Sequence, residues 1–150
     1  MDCRLYRKGL GFWLLAFGFW LLAPQHANSQ QLTADSPNWR DTLTVLNKQI
    51  AQTEWSTDLH LRKAHANLQL KQWQYAVDEY ALVLQHESRN PAALFYRAYA
   101  YTHLRRFDLA RNDLGDLLMV FPQHYEARRS MAVVLQQLGR KQDALDNLNQ

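Results

Sequence analysis

Cysteine is nearly absent from this chain: its one representative, Cys3, stands at the extreme start of 150 residues. Nothing downstream of it can form a disulfide or a thiolate metal site. Glycine is scarce too, at five residues, and Gly9, Gly11 and Gly18 lie in the first apolar run. Tight loops of the kind that cradle phosphates are therefore hardly available, and no Gly-x-Ser-x-Gly turn or His-Glu-x-x-His pair is present. A decisive excess of charge of one sign is also lacking. The formal net charge of +3 comes from 17 basic and 14 acidic residues, and setting aside Arg4, Arg7, Lys8 and Asp2 at the start leaves 14 and 13. That near balance gives no electrostatic footprint for nucleic acid or an anionic membrane, so the arginine pairs Arg105-Arg106 and Arg128-Arg129 read as solvated turns and helix ends. The histidines His60, His65, His86, His103 and His124 are scattered, and no metal site is expected from them.

A hydrophobic run long enough to cross a bilayer is missing as well. The apolar stretch GLGFWLLAFGFWLLA covers residues 9–23, short of the roughly 20 residues that a spanning helix needs. It follows a basic start, RLYRK, and is followed by Pro24 and the polar QHANSQQ, the order of a secretory signal peptide. The expected cuts are after Ala27 or Ser29, with an uncleaved membrane anchor as the alternative. Residues 1–29 are thus assigned to a signal peptide and residues 30–56 to a linker and a capping helix. With 47% hydrophobic and 21% charged residues, the remainder has the composition of a folded globular domain.

What the chain does have is repetition. QYAVDEYALVL (74–84) returns as DLARNDLGDLL (108–118) and again as QDALDNLNQ (142–150). The small residue keeps its place as Ala76, Ala110 and Ala144, and a large one four later as Tyr80, Leu114 and Leu148. A second pattern repeats in the same register: LRKAHANLQLK, FYRAYAYTHLR and RSMAVVLQQLG align on Ala64, Ala98 and Ala132 and on Leu70, Leu104 and Leu138. Apolar spacing by three and four, with little β-branched alternation, predicts helices throughout. The alanines have a mechanical reading, because antiparallel helices approach to about 8 Å only where small side chains meet. Trp73 and Phe107, at the start of the second helices, are expected to cover the open end of each pair. A weaker echo, RDTLTVLNKQI (40–50), predicts one more helix over about 37–54, with Ser36 as N-cap and Pro37 in its first turn.

The 34-residue period with two helices per unit resembles the tetratricopeptide repeat. The middle unit matches best, carrying Ala98, Tyr101, Phe107, Ala110 and Pro122 at the family's small, aromatic, aromatic, alanine and proline places. The first keeps Ala64, Trp73, Ala76 and Tyr80 but has Asn67 and Ser88 in two of those places, and the third keeps Ala132, Gly139, Ala144 and Leu148 but has Lys141. The resemblance implies an all-α right-handed superhelix of about three repeats, near 57–90, 91–124 and 125–150, with an N-terminal capping helix. The family's helix-to-helix turn favours glycine at positive φ, and this chain has Lys71, Arg105 and Gly139 there.

The same resemblance implies function. First helices of such repeats line a concave groove that takes an extended or short helical peptide, and the matching places here select Leu61, His65, Phe95, Tyr99, His103, Arg129 and Val133. Phe95, Tyr99 and His103 form an aromatic stripe at spacing four. The carboxylate clamp of chaperone adaptors is absent, since its places hold Leu61, His65, Glu126 and Ser130. The expectation is a non-catalytic protein-binding scaffold without cofactor, metal, nucleic acid or evident small-molecule substrate, exported to a bacterial periplasm. The chain stops at Gln150 inside the last helix of the pattern, so the face bearing Leu145 and Leu148 is expected to be exposed, or covered by another copy or another protein. The alternative function is a structural homo-oligomer joined through those two leucines.

Overall fold

The computed structural model describes residues 38–149. Among these residues the chain is helical and has no strand, in seven elements: α1 (Trp39–Gln52), α2 (Thr57–Gln69), α3 (Trp73–His86), α4 (Pro91–His103), α5 (Phe107–Val120), α6 (Tyr125–Gln137) and α7 (Lys141–Leu148). Each helix packs against its sequence neighbours, α2 also touches α4, and α4 also touches α6. Successive hairpins are therefore stacked, with α2, α4 and α6 side by side on one face.

Local chemistry sets where these helices start. Ser56 Oγ accepts from Leu59 N–H, and Asn90 Oδ1 accepts from Ala93 N–H at 3.0 Å just before Pro91, whose fixed φ suits the first helical turn. At α6 the cap is an imidazole: Ala127 N–H donates to His124 Nδ1 at 3.2 Å. The first helix begins later than the sequence predicts. Asn38 is its cap, accepting from Arg40 N–H at 3.2 Å and donating to Asp41 at 2.7 Å, and Ser36 and Pro37 lie outside the described residues. An asparagine that serves both the backbone and the first-turn carboxylate fixes the start at Trp39.

The ends of α2, α4 and α6 share one device. Lys71, Arg105 and Gly139 take φ of 58°, 59° and 76°. The following amides reach back, Gln72 to Asn67 O, Arg106 to Tyr101 O and Arg140 to Leu135 O, at 2.8–2.9 Å. This left-handed closure satisfies the last helical carbonyls. Lysine and arginine adopt it at a cost of about 1 kcal/mol that glycine would avoid.

The alanines sit where two helices meet. Ala64, Ala76, Ala98 and Ala110 are wholly buried, and Ala132 and Ala144 are nearly so. Around the first two pairs Val77, Tyr80, Leu94, Leu114 and Leu117 make a continuous core, with Trp73 and Phe107 packed partly buried against it. The third pair has its own small cluster of Ala132, Leu135 and Ala144, joined by Met131. In the other two pairs the place of Met131 is taken by a cation. Lys63 Nζ lies 2.6 Å from Glu79 on α3, and Arg97 makes a two-pronged bridge of 2.7 and 2.8 Å to Asp113 on α5. Glu79 also receives His60 Nδ1 at 2.8 Å. Both carboxylates are buried.

A candidate binding groove

The face formed by α2, α4 and α6 carries a cavity of about 790 Å³. Its floor and walls are Leu68 and His65 from α2, Phe95, Tyr96 and Tyr99 from α4, and Glu126, Arg129 and Val133 from α6, with Trp73 and Lys71 closing one end. The helical rise explains the grouping, because Phe95 and Tyr99 are four apart on one helix face, as are Arg129 and Val133.

Aromatic rings dominate the geometry. Tyr99 is 48% exposed and meets Trp73 edge-on at 6.2 Å. Phe95 meets Tyr96 edge-on at 5.3 Å and lies nearly parallel to the His124 ring at 5.4 Å. His65 stands between Trp39 of the capping helix and Tyr96, edge-on to both at 5.7 and 5.9 Å. Such rings present large apolar area with few rotors to freeze, which suits them to anchoring a guest.

Five of the seven residues selected from sequence, His65, Phe95, Tyr99, Arg129 and Val133, line this one cavity. Leu61 does not; it is half-buried and packs into the core under α2. His103 does not line it either, because its ring lies flat on Trp73 at 4.0 Å and is spent on that stack. Leu145 and Leu148 are 57% and 53% exposed on α7, away from the cavity. Sequence reasoning missed Trp73, Tyr96 and Lys71 as lining. Trp73 was assigned to cover the hairpin end, and it does pack there while presenting its other edge to the groove. Tyr96 adjoins Phe95, and an aromatic neighbour one position along was the available signal.

Several other polar groups are engaged structurally. The indole of Trp55 lies between two imidazoles, 4.2 Å from His60 and 3.8 Å from His86, and its Nε1–H donates to Thr57 Oγ1. Burial pushes the Asp113 carboxyl above the usual carboxylate range, against the opposing pull of Arg97, whose own guanidinium is held charged more firmly by Asp113. At the turn between the first two hairpins, Glu87 is held below the usual range by Thr57 Oγ1–H at 2.6 Å and Asn90 Nδ2 at 2.8 Å. Burial raises the Tyr80 hydroxyl, which finds no partner among the described residues. No group of three or more His, Cys, Asp or Glu among the described residues is placed to hold a metal ion.

These features define an α-solenoid of stacked helical hairpins with one aromatic groove. No family model matches the chain. It is 35% identical over 83 residues to the peptidyl-prolyl cis-trans isomerase FKBP4 of Bos taurus, covering 55% of this chain and 18% of the isomerase. It is 29% identical over 91 residues to a DnaJ homolog subfamily C member 7 homolog of Dictyostelium discoideum, covering 61% and 17%. The chain thus spans less than a fifth of the length of these curated relatives. Among solved structures, a crystal structure of MamA superposes with a TM-score of 0.71 over 74% of this chain and 65% of that one, at 16% identity. The MamA RS-1 ArsTM double mutant gives 0.71 over 79% and 65%, at 14% identity. Identities this low speak to fold alone. They show the stacked-hairpin fold, and the 34-residue period resembles that of the tetratricopeptide repeat.

Proposed function

We propose that the protein is a non-catalytic interaction module, exported to the periplasm, that holds a segment of a partner protein in the α2–α4–α6 groove. The observation that carries this reading is the convergence of His65, Phe95, Tyr99, Arg129 and Val133 on one open, aromatic-lined cavity. An extended or single-helix segment fits such a trough, where Tyr99 and Val133 are both about half exposed and ready to be covered. The repeats of the relatives support an interaction role, and the apolar leader of residues 9–23 with its small-residue cut sites supports export. The test is a photo-crosslinking residue placed at Tyr99 in intact cells, with one at the exposed Tyr75, outside the cavity, as control. The expected result is one defined adduct from position 99 in the periplasmic fraction, none from position 75, and loss of the position-99 adduct when Phe95→Ala and Val133→Ala are added to the probe-bearing chain with helicity kept. Undiminished capture by the double variant removes the groove, and an adduct confined to the cytosolic fraction removes export. A second reading, homo-oligomer formation through α7, is favoured only by the exposure of Leu145 and Leu148; a monodisperse monomer in light scattering excludes it.

A further inference from the structure

The N-cap of each groove helix falls in the same register of the repeat: Ser56 for α2, Asn90 for α4 and His124 for α6. Serine and asparagine cap without titrating. Histidine changes charge within about pH 5 to 8.

The contacts of His124 make that difference consequential. Its Nδ1 accepts the Ala127 N–H at 3.2 Å, which requires a lone pair on that nitrogen. The same Nδ1 lies 3.3 Å from Oε2 of Glu126, an approach that is attractive only when the nitrogen carries a proton. A ring nitrogen is donor or acceptor and not both at once, so the two contacts exclude each other. The ring is braced nearly parallel to Phe95, yet its side chain is 30% exposed, so solvent protons reach it. Among the described residues, Glu126 is the carboxylate within 4 Å of a His124 ring nitrogen. From α4 the facing group is the uncharged Phe95, and the adjacent Arg128 guanidinium is occupied by the carbonyls of Pro122 and Asn147.

We propose that His124 is a proton-operated switch on the groove, a claim that rests on the groove reading above: neutral, it caps α6; protonated, it releases the Ala127 amide and binds the Glu126 carboxylate. Phe95 and Glu126 both line the cavity, so the switch acts on the wall itself. With Glu126 neutralised, the charged side chains left to the cavity are Lys71 and Arg129, both cationic and neither in an ion pair among the described residues. Acidification thereby converts a groove of mixed charge into a cationic one, better matched to an acidic segment.

The test is an NMR pH titration of the purified protein from pH 8 to 5, following the His124 ring, the Ala127 amide and the Glu126 carboxyl carbon. All three are expected to move with one midpoint. The exchange protection of Ala127, corrected for intrinsic rate, is expected to fall about fivefold, the equivalent of a lost N-cap. In His124→Asn, which restores the type of cap found at Asn90, the Ala127 amide should stay still and protected across the range. A titrating ring with a stationary Ala127 amide, or an unchanged Ala127 response in the asparagine variant, overturns the switch. Because this is read on the free protein, its failure leaves the groove standing, whereas the groove falls only with the crosslinking result.

Discussion

Replacing Arg97 with methionine removes the guanidinium but keeps most of the side chain's apolar volume. In the folded protein Asp113 is 4% exposed, and its two oxygens receive Arg97 Nη2 and Nε at 2.7 and 2.8 Å. Stripping a buried carboxylate of its only cation typically costs about 3–5 kcal/mol, mostly as an uncompensated buried charge. The Arg97 side chain is itself 20% exposed, so water can partly enter the vacated site. The working value is therefore about 2–4 kcal/mol at pH 7, a large share of a domain's roughly 5–15 kcal/mol. A companion variant that removes both charges, Arg97→Met with Asp113→Leu, should recover most of the loss, since an apolar pair of similar volume desolvates nothing charged.

The pH dependence sharpens this prediction. Burial already raises the folded-state ionisation of Asp113 above its unfolded value, with Arg97 opposing. Without Arg97 the opposition disappears and the raise grows. A raised carboxyl means that the folded state binds more protons, so stability should increase as the pH falls from 7 through the folded value, and the deficit of Arg97→Met should shrink on acidification. Urea unfolding followed by circular dichroism at pH 7 and pH 4.5 measures both effects. An Arg97→Met deficit below about 0.5 kcal/mol at pH 7, the range of an exposed pair, would show that Asp113 is solvated and refute the reasoning.

Two other perturbations probe different parts of the fold. Ala110→Leu inserts a branched side chain where the second hairpin's helices touch and no surface remains accessible; overpacking should lower stability by about 1–3 kcal/mol with an unchanged denaturant slope, and a loss under 0.5 kcal/mol would mean the contact does not depend on a small residue. The Glu87 carboxyl should titrate below the usual carboxylate range, and Thr57→Val should move it upward by removing the 2.6 Å hydroxyl bond. Since the shift is a depression, whatever support Glu87 gives is present above its unfolded value and lost as the pH falls through the folded one; an unchanged carbon-13 midpoint in Thr57→Val counts against the bond.

The architecture was legible in the sequence because helix pairing is written in small residues at a fixed period, and burial of Ala64, Ala76, Ala98 and Ala110 leaves little latitude there. The turns were legible in part: the resemblance marks the place of Gly139 as one of positive φ, and Lys71 and Arg105 keep that conformation where a shifted turn was the alternative. The start of α1 was not, because Ser36-Pro37 matches the cap pattern in sequence, whereas the contacts of Asn38 with Arg40 N–H and Asp41 put the cap two residues later. In the groove, position within a helix located His65, Phe95, Tyr99, Arg129 and Val133. It did not foresee that the His103 ring stacks on Trp73 of the preceding helix, or that Leu61 packs against the core, so neither lines the cavity. Both errors come from contacts between helices, which a pattern along one helix does not encode.

The buried ion pairs look like a further failure of sequence reasoning, yet the repeat contains their signal. Lys63 and Arg97 occupy one register, and Glu79 and Asp113 another, so the pair recurs unit by unit. The third unit has Met131 and Asn147 in those places, and there Asn147 instead exchanges hydrogen bonds with the backbone and side chain of Arg128. The third unit departs again at the turn, where glycine replaces a basic residue, and at the cap, where histidine replaces serine or asparagine. Its own cluster of Ala132, Leu135 and Ala144 is small, and Met131 joins it to the main core, which takes in Ala127 and Val134 of α6. The hairpin that contributes Glu126, Arg129 and Val133 to the groove therefore lacks the buried cross-helix ion pair of the two before it, while its glycine turn avoids the strain that Lys71 and Arg105 carry. The groove thus has two walls built on hairpins that bury an ion pair and one built on a hairpin joined through Met131, Asn147 and Arg128, and that third wall is the one whose helix is capped by a histidine.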